Sequence, residues 1–73
     1  MKRSERLAKE GKIEVYIGSC EIAKVITSKE MSARAHELRY IGTDFDALYD
    51  GREVSANVYE NEQTDELFAT IDQ

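Results

Sequence analysis

Several things are missing from this chain of 73 residues: it has no proline, no tryptophan, and only one cysteine. Without proline, and without a Pro/Ser-rich linker, nothing marks an internal boundary, so the sequence predicts one small domain over residues 1–73. Cys20 alone cannot form an intramolecular disulfide, which fits a reducing cytoplasm. No apolar run approaches the roughly 20 residues that span a bilayer. The start is basic but lacks the apolar stretch of a secretory signal, so no membrane partner is expected. Glycine-rich phosphate loops, paired-cysteine metal spacings and nucleophile elbows are all absent from the sequence. The expectation is a protein with no cofactor and no small-molecule substrate, and not an enzyme.

Charge is present in quantity, and unevenly. Residues 1–12 hold five cations (Lys2, Arg3, Arg6, Lys9, Lys12) against Glu5 and Glu10. Residues 44–73 hold Arg52 against nine acids, and the whole chain carries −5. A basic head and an acidic second half predict two electrostatic faces, although an acidic solvated surface also serves solubility.

The strongest local signal is Asp50-Gly51, between two runs that can alternate apolar and polar. A two-residue type I′ hairpin needs positive φ at both central positions, which Asp tolerates and Gly adopts freely. After it, Val54, Ala56 and Val58 share one face of a strand. Lys12–Gly18 alternates cleanly, with Ile13, Val15 and Ile17 inward. Gly18-Ser19-Cys20 reads as a turn and Glu21–Thr27 as the strand pairing back.

Ser4 is placed to cap a short helix bearing Leu7 and Ala8 and closed by Gly11. So short a helix must dock to persist. Thr27-Ser-Lys-Glu30 has capping-box form, and Met31, Ala35 and Leu38 lie at helical spacing. A helix over about 28–40 is therefore predicted, with Gly42 as its stop. Residues 43–50 fit a helical turn (Phe45, Leu48, Tyr49) or a strand (Phe45, Ala47, Tyr49), and the strand reading is preferred. A polar loop after Tyr59 leads to a last strand at Glu66–Ile71. The expected fold class is α+β: a small antiparallel sheet with one main helix packed on it and a short N-terminal helix.

Candidate chemistry is sparse. Cys20 and His36 are the only thiol and imidazole, and a Cys/His hydrolase needs an orienting third group as well. Cys20 reads instead as a small turn or core residue, and His36 as part of a solvated helix face. Asp44-Phe-Asp46 with Asp50-Gly51 fails the EF-hand spacing at its sixth and twelfth positions, which are Tyr49 and Ser55. On a helix, Arg3, Arg6 and Lys9 share a side that could meet phosphates. Without stacking aromatics, and at −5 overall, they suit a helper contact to RNA held by another protein. The acidic half could dock on a basic protein surface, with Tyr40, Tyr49, Tyr59 and Phe68 as anchors. Alternatively, Asp44, Asp46, Asp50, Glu53, Glu60 and Glu62 could imitate DNA and block a nuclease or other nucleic-acid-binding complex of host defence.

From Met-Lys-Arg-Ser-Glu-Arg-Leu through Lys-Ile-Glu-Val-Tyr-Ile-Gly to the acidic end, the chain resembles the small RNA polymerase-binding transcription regulators of lytic Xanthomonas phages. The match is of length and character and carries no portable motif. The resemblance implies a host-cytoplasmic protein that binds host RNA polymerase. It further implies inhibition of initiation by σ-factor displacement, and antitermination near the RNA exit channel. The partners implied are the N-terminal region of the β′ subunit and the host factor NusA, with RNA touched only inside that complex. The candidate partner-binding residues are Lys2, Arg3, Arg6 and Lys9 of the basic head, with Glu14 and Tyr16 on the exposed side of the first strand.

Overall fold

The computed structural model describes residues 2–72, so both chain-end residues of the expected 1–73 domain lie outside it. Its elements are α1 (Arg3–Lys9), β1 (Lys12–Ile17), β2 (Ser19–Val25), α2 (Ser28–Ala33), β3 (Leu38–Tyr49), β4 (Arg52–Asn61) and β5 (Leu67–Asp72). That is the expected order of helices and strands. The expected α+β architecture is not what they build: the strands close into a barrel in the order β1-β2-β5-β4-β3. Among the described residues no main helix lies on a sheet, the two helices there having only seven and six residues.

The missing helix is explained by strand pairing. The capping box forms as expected, Thr27 Oγ1 accepting from the Glu30 N–H at 3.0 Å and Glu30 Oε1 accepting from the Thr27 N–H at 3.4 Å. Yet α2 buries no residue, and it ends at Ala33. Leu38, Arg39 and Tyr40 pair instead with Asn61, Glu60 and Tyr59. The Tyr40 and Tyr59 rings meet at 5.6 Å, and Arg39 reaches Glu60 at 3.2 Å and Glu62 at 3.1 Å. A short exposed helix gains too little to compete with a ladder that also packs side chains. Gly42, the expected helix stop, lies inside β3 opposite Val58.

The Asp-Gly hairpin is as read. Tyr49 pairs with Arg52 across Asp50 (φ 53°) and Gly51 (φ 79°). Ser4 does not cap α1, whose N-cap is Lys2. Its hydroxyl accepts instead from the Gly51 N–H at 3.1 Å and ties the helix to the hairpin. Residues 43–49 are strand, as preferred, and Asp50 opens the turn, but β3 bulges between Asp44 and Ala47. Two residues there oppose one on β4, so Phe45 is thrown outward to 72% exposure instead of sharing a face with Ala47 and Tyr49.

The inward rows meet as a narrow core of Ile13, Val15 and Val58 filled out by Ala23, Ala47, Ala56 and Ala69. Five strands enclose little volume, and four alanines in it mark how little. Phe68, expected as an exposed anchor, is buried, and the Arg34 guanidinium lies 5.4 Å from its ring centre. The α1 helix docks on this body through Leu7, its only buried residue. Replacing Leu7 with alanine should cost about 2 kcal/mol, near the low end for a buried leucine at a rim. Hydrogen exchange should then show α1 amides freed while those of β4 and β5 stay protected. Global unfolding of the barrel would show that α1 is integral to it rather than docked.

Candidate functional site: the cleft between the N-terminal helix and the first strand

In β1 the inward residues are Ile13 and Val15, so Glu14 and Tyr16 project outward together. Glu14 pairs across with Leu48 on β3 and with Ile22 on β2, and Tyr16 with Cys20. Tyr16, Ile22 and Leu48 are all exposed, giving the outer face an apolar character unusual for so charged a chain. Against it lies α1. The two bound a cleft of about 210 Å³, lined from α1 by Lys2, Arg3, Ser4 and Leu7. The barrel side contributes Glu14, Tyr16, Asp46 and Leu48.

The Glu14 carboxylate organises the polar side. Its Oε2 pairs with Arg3 Nη2 at 2.9 Å, and its Oε1 accepts from the Tyr16 hydroxyl at 2.8 Å. The Tyr16 hydrogen bond, with the Arg3 guanidinium beside it, holds the Glu14 carboxyl below its ordinary pKa. The reciprocal effect, an acceptor carboxylate that disfavours a neighbouring phenolate, pushes Tyr16 up to about 12. The Cys20 thiol, also facing Glu14, is raised as well, mainly by desolvation. A thiol shifted in that direction is less of a nucleophile.

Beneath this face, Asp44 joins β3 to β1. It is buried to 8% exposure; its Oδ2 accepts from the Tyr16 N–H at 2.9 Å and its Oδ1 from the Asp46 N–H at 3.0 Å. Where β3 bulges away, a side-chain carboxylate thus substitutes for the missing backbone acceptors. Tyr16 is held at both ends: its amide by Asp44 and its phenol by Glu14.

Of the six residues proposed from the sequence, Lys2, Arg3, Glu14 and Tyr16 line this one cleft. Arg6 and Lys9 are exposed on α1 and do not. The basic head is less free than its composition suggests, since Arg3 is committed to Glu14 and Lys12 lies 3.8 Å from Glu10. Leu7, Leu48 and Asp46 were missed by the sequence reading. An outward leucine two residues before the Asp-Gly turn was the available signal for Leu48. Cys20 is neither turn nor core but an exposed strand residue. His36 is exposed in the turn after α2, where its Nε2 lies 3.7 Å from Glu37 Oε1. Among the described residues, no group of three or more His, Cys, Asp or Glu side chains is placed to hold a metal ion.

Compared with known protein families, curated proteins and solved structures, the chain matches none.

What the cleft offers chemically is a preset binding surface. It presents a phenol, a guanidinium and an ionised carboxylate over a leucine floor, with the carboxylate already satisfied and weakly basic. The pairing has a defined pH dependence. Because the Glu14 pKa is lowered in the folded protein, its contribution to stability is full above the ordinary glutamate value. That contribution disappears as pH falls through the folded value. Carbon NMR titration of the Glu14 carboxyl should show the depressed midpoint, and Tyr16→Phe should move it back up. A midpoint unchanged by Tyr16→Phe would mean the hydroxyl does not bond to Glu14 in solution.

Proposed function

We propose that this protein is a non-enzymatic regulator that acts in the host cytoplasm by binding host RNA polymerase. In this reading it inhibits initiation by σ-factor displacement and serves as an antiterminator near the RNA exit channel. The sequence resemblance to phage regulators motivates the proposal. The observation that carries it is the convergence of Lys2, Arg3, Glu14 and Tyr16 on a single cleft with an apolar floor. Aromatic and arginine side chains around a concave apolar centre are the usual composition of an energetic centre in a protein interface. The cleft would receive a segment of polymerase such as the β′ N-terminal region. The exposed Arg6 and Lys9, in the last turn of α1, would face RNA or an acidic surface of the complex, NusA included.

The acidic DNA-mimic alternative has less support. Of its six acids, Asp44 is buried and spent on two backbone N–H groups, and Glu60 and Glu62 are paired with Arg39. Half the supposed phosphate mimics are thus already engaged within the protein.

A pull-down of purified Xanthomonas RNA polymerase at low salt tests the reading. The wild-type protein should be retained, and Tyr16→Ala should weaken retention about 30-fold, the effect of losing ~2 kcal/mol at an interface centre. The double variant Arg6→Glu/Lys9→Glu should bind more weakly, the deficit being greatest at low salt. No retention of the wild-type protein would remove the proposal.

A further inference from the structure

The barrel is closed by two short seams, and the one between β2 and β5 leaves part of a strand edge unpaired. The parallel ladder there consists of Lys24 with Phe68 and Val25 with Ala69, supplemented by the Ile26 N–H donating to Ala69 O at 2.9 Å. The β2 strand begins five residues before Lys24, at Ser19, and β5 has no partner for that stretch. Which backbone groups are left over follows from the antiparallel alternation. The Val25 N–H donates to Gly11 O at 2.8 Å on the β1 side, so the groups of Ala23, Glu21 and Ser19 also face β1. Those of Ile22 and Cys20 then face the open side.

The open side is also where the barrel interior reaches the surface. A depression of about 490 Å³ there is floored by Val15, Ile17, Ile41, Val58 and Leu67. Its rim is acidic on balance, with Glu21, Glu60, Asp65 and Glu66 against Lys12 and Lys24. Lys24 pairs with Glu66 at 3.7 Å and Arg39 with Glu60 at 3.2 Å, which leaves Glu21 and Asp65 without a cation partner among the described residues. Two of the rim acids occupy interior rows. Glu21 faces Val15 in the row that holds Ala23 and Val25, and Glu60 pairs with Leu67 two residues after Val58. A carboxylate in an inward row is tolerated because the row ends at this mouth.

We propose that this mouth is a second docking surface, which accepts a short basic segment of another protein as an added strand beside β2. Main-chain bonds to Cys20 and Ile22 would supply the pairing. The inward side chains of the guest would lay aliphatic stems over Ile17 and Leu67 and bring their charges to Glu21 and Asp65. Its outward side chains would pack beside the exposed Ile22. Charge complementarity selects a basic guest over a second copy of this chain, since two copies would juxtapose two acidic rims. The surface lies on the β2–β5 side of the barrel, whereas the cleft of the proposed function lies on the β1–β3 side.

The test uses the isolated protein and a blocked Val-Lys-Val-Lys-Val peptide, followed by amide NMR. The Cys20 and Ile22 amides should shift and gain exchange protection, with binding at least tenfold weaker for Val-Glu-Val-Glu-Val. Ile22→Pro removes an edge donor without touching the β1 ladder and should abolish binding. If that variant fails to fold, Glu21→Lys should weaken the lysine peptide at least threefold. No perturbation at Cys20 and Ile22 at millimolar peptide, equal binding of the glutamate peptide, or dimerisation through these amides would each overturn the proposal. Polymerase retention plays no part in this experiment, so the two readings fail separately.

Discussion

One carboxylate does the joining on which this barrel depends. At the β1–β3 seam the backbone ladder is reduced to Glu14 opposite Leu48, because β3 bulges between Asp44 and Ala47. Asp44 supplies the missing acceptors, taking the Tyr16 and Asp46 N–H groups on its two oxygens. Both hydrogen bonds are part-buried, and a hydrogen bond of this kind contributes roughly 0.5–1.5 kcal/mol net, so one side chain supplies two such contributions. In a domain of this size, whose total stability is of the order of several kcal/mol, that is a large share. The bulge and its carboxylate are one device, since the first would be unaffordable without the second.

The same seam sets the surface used in the functional proposal. Fixing the Tyr16 backbone fixes the outward row of β1, so Glu14 arrives between the Tyr16 phenol and the Arg3 guanidinium. The α1 helix closes over that row through Leu7 and through the Ser4 hydroxyl on Gly51. The cleft therefore depends on three contacts far apart in sequence. The barrel interior imposes the complementary limit. Alanine fills four of the seven positions of its buried cluster, and the two depressions described above lie on the outside and at the mouth beside β2.

Local, self-consistent signals were readable from the residues. Strict alternation marked β1, the Asp50-Gly51 pair marked the β3–β4 hairpin, and Thr27 with Glu30 marked a real helix start. What those signals lacked was a measure of competition. Met31, Ala35 and Leu38 have helical spacing, but Leu38 belongs to a strand because Tyr59, Glu60 and Asn61, over twenty residues away, pair with that stretch. Barrel closure was equally invisible, since nothing local says that β1 meets β3 or that β2 runs parallel to β5. The bulge exchanged the fates of two residues: Phe45 went to solvent, and Asp44 went into the seam. Four of the six proposed contact residues line one cleft because outward parity on β1 and proximity to the chain start are both sequence properties. The leucines that complete the cleft were missed because their meeting is tertiary.

The central claim is that Asp44 closes the barrel at Tyr16 and thereby holds the cleft. Residue-resolved hydrogen exchange at the Tyr16 amide tests it most directly, with wild type compared against Asp44→Ala. The account predicts a protected Tyr16 amide in the wild type. In the variant that protection should fall at least tenfold beyond the loss at Val58 and Ala69. A Tyr16 amide that exchanges freely in the wild type, or falls only in step with Val58 and Ala69 in the variant, would contradict it.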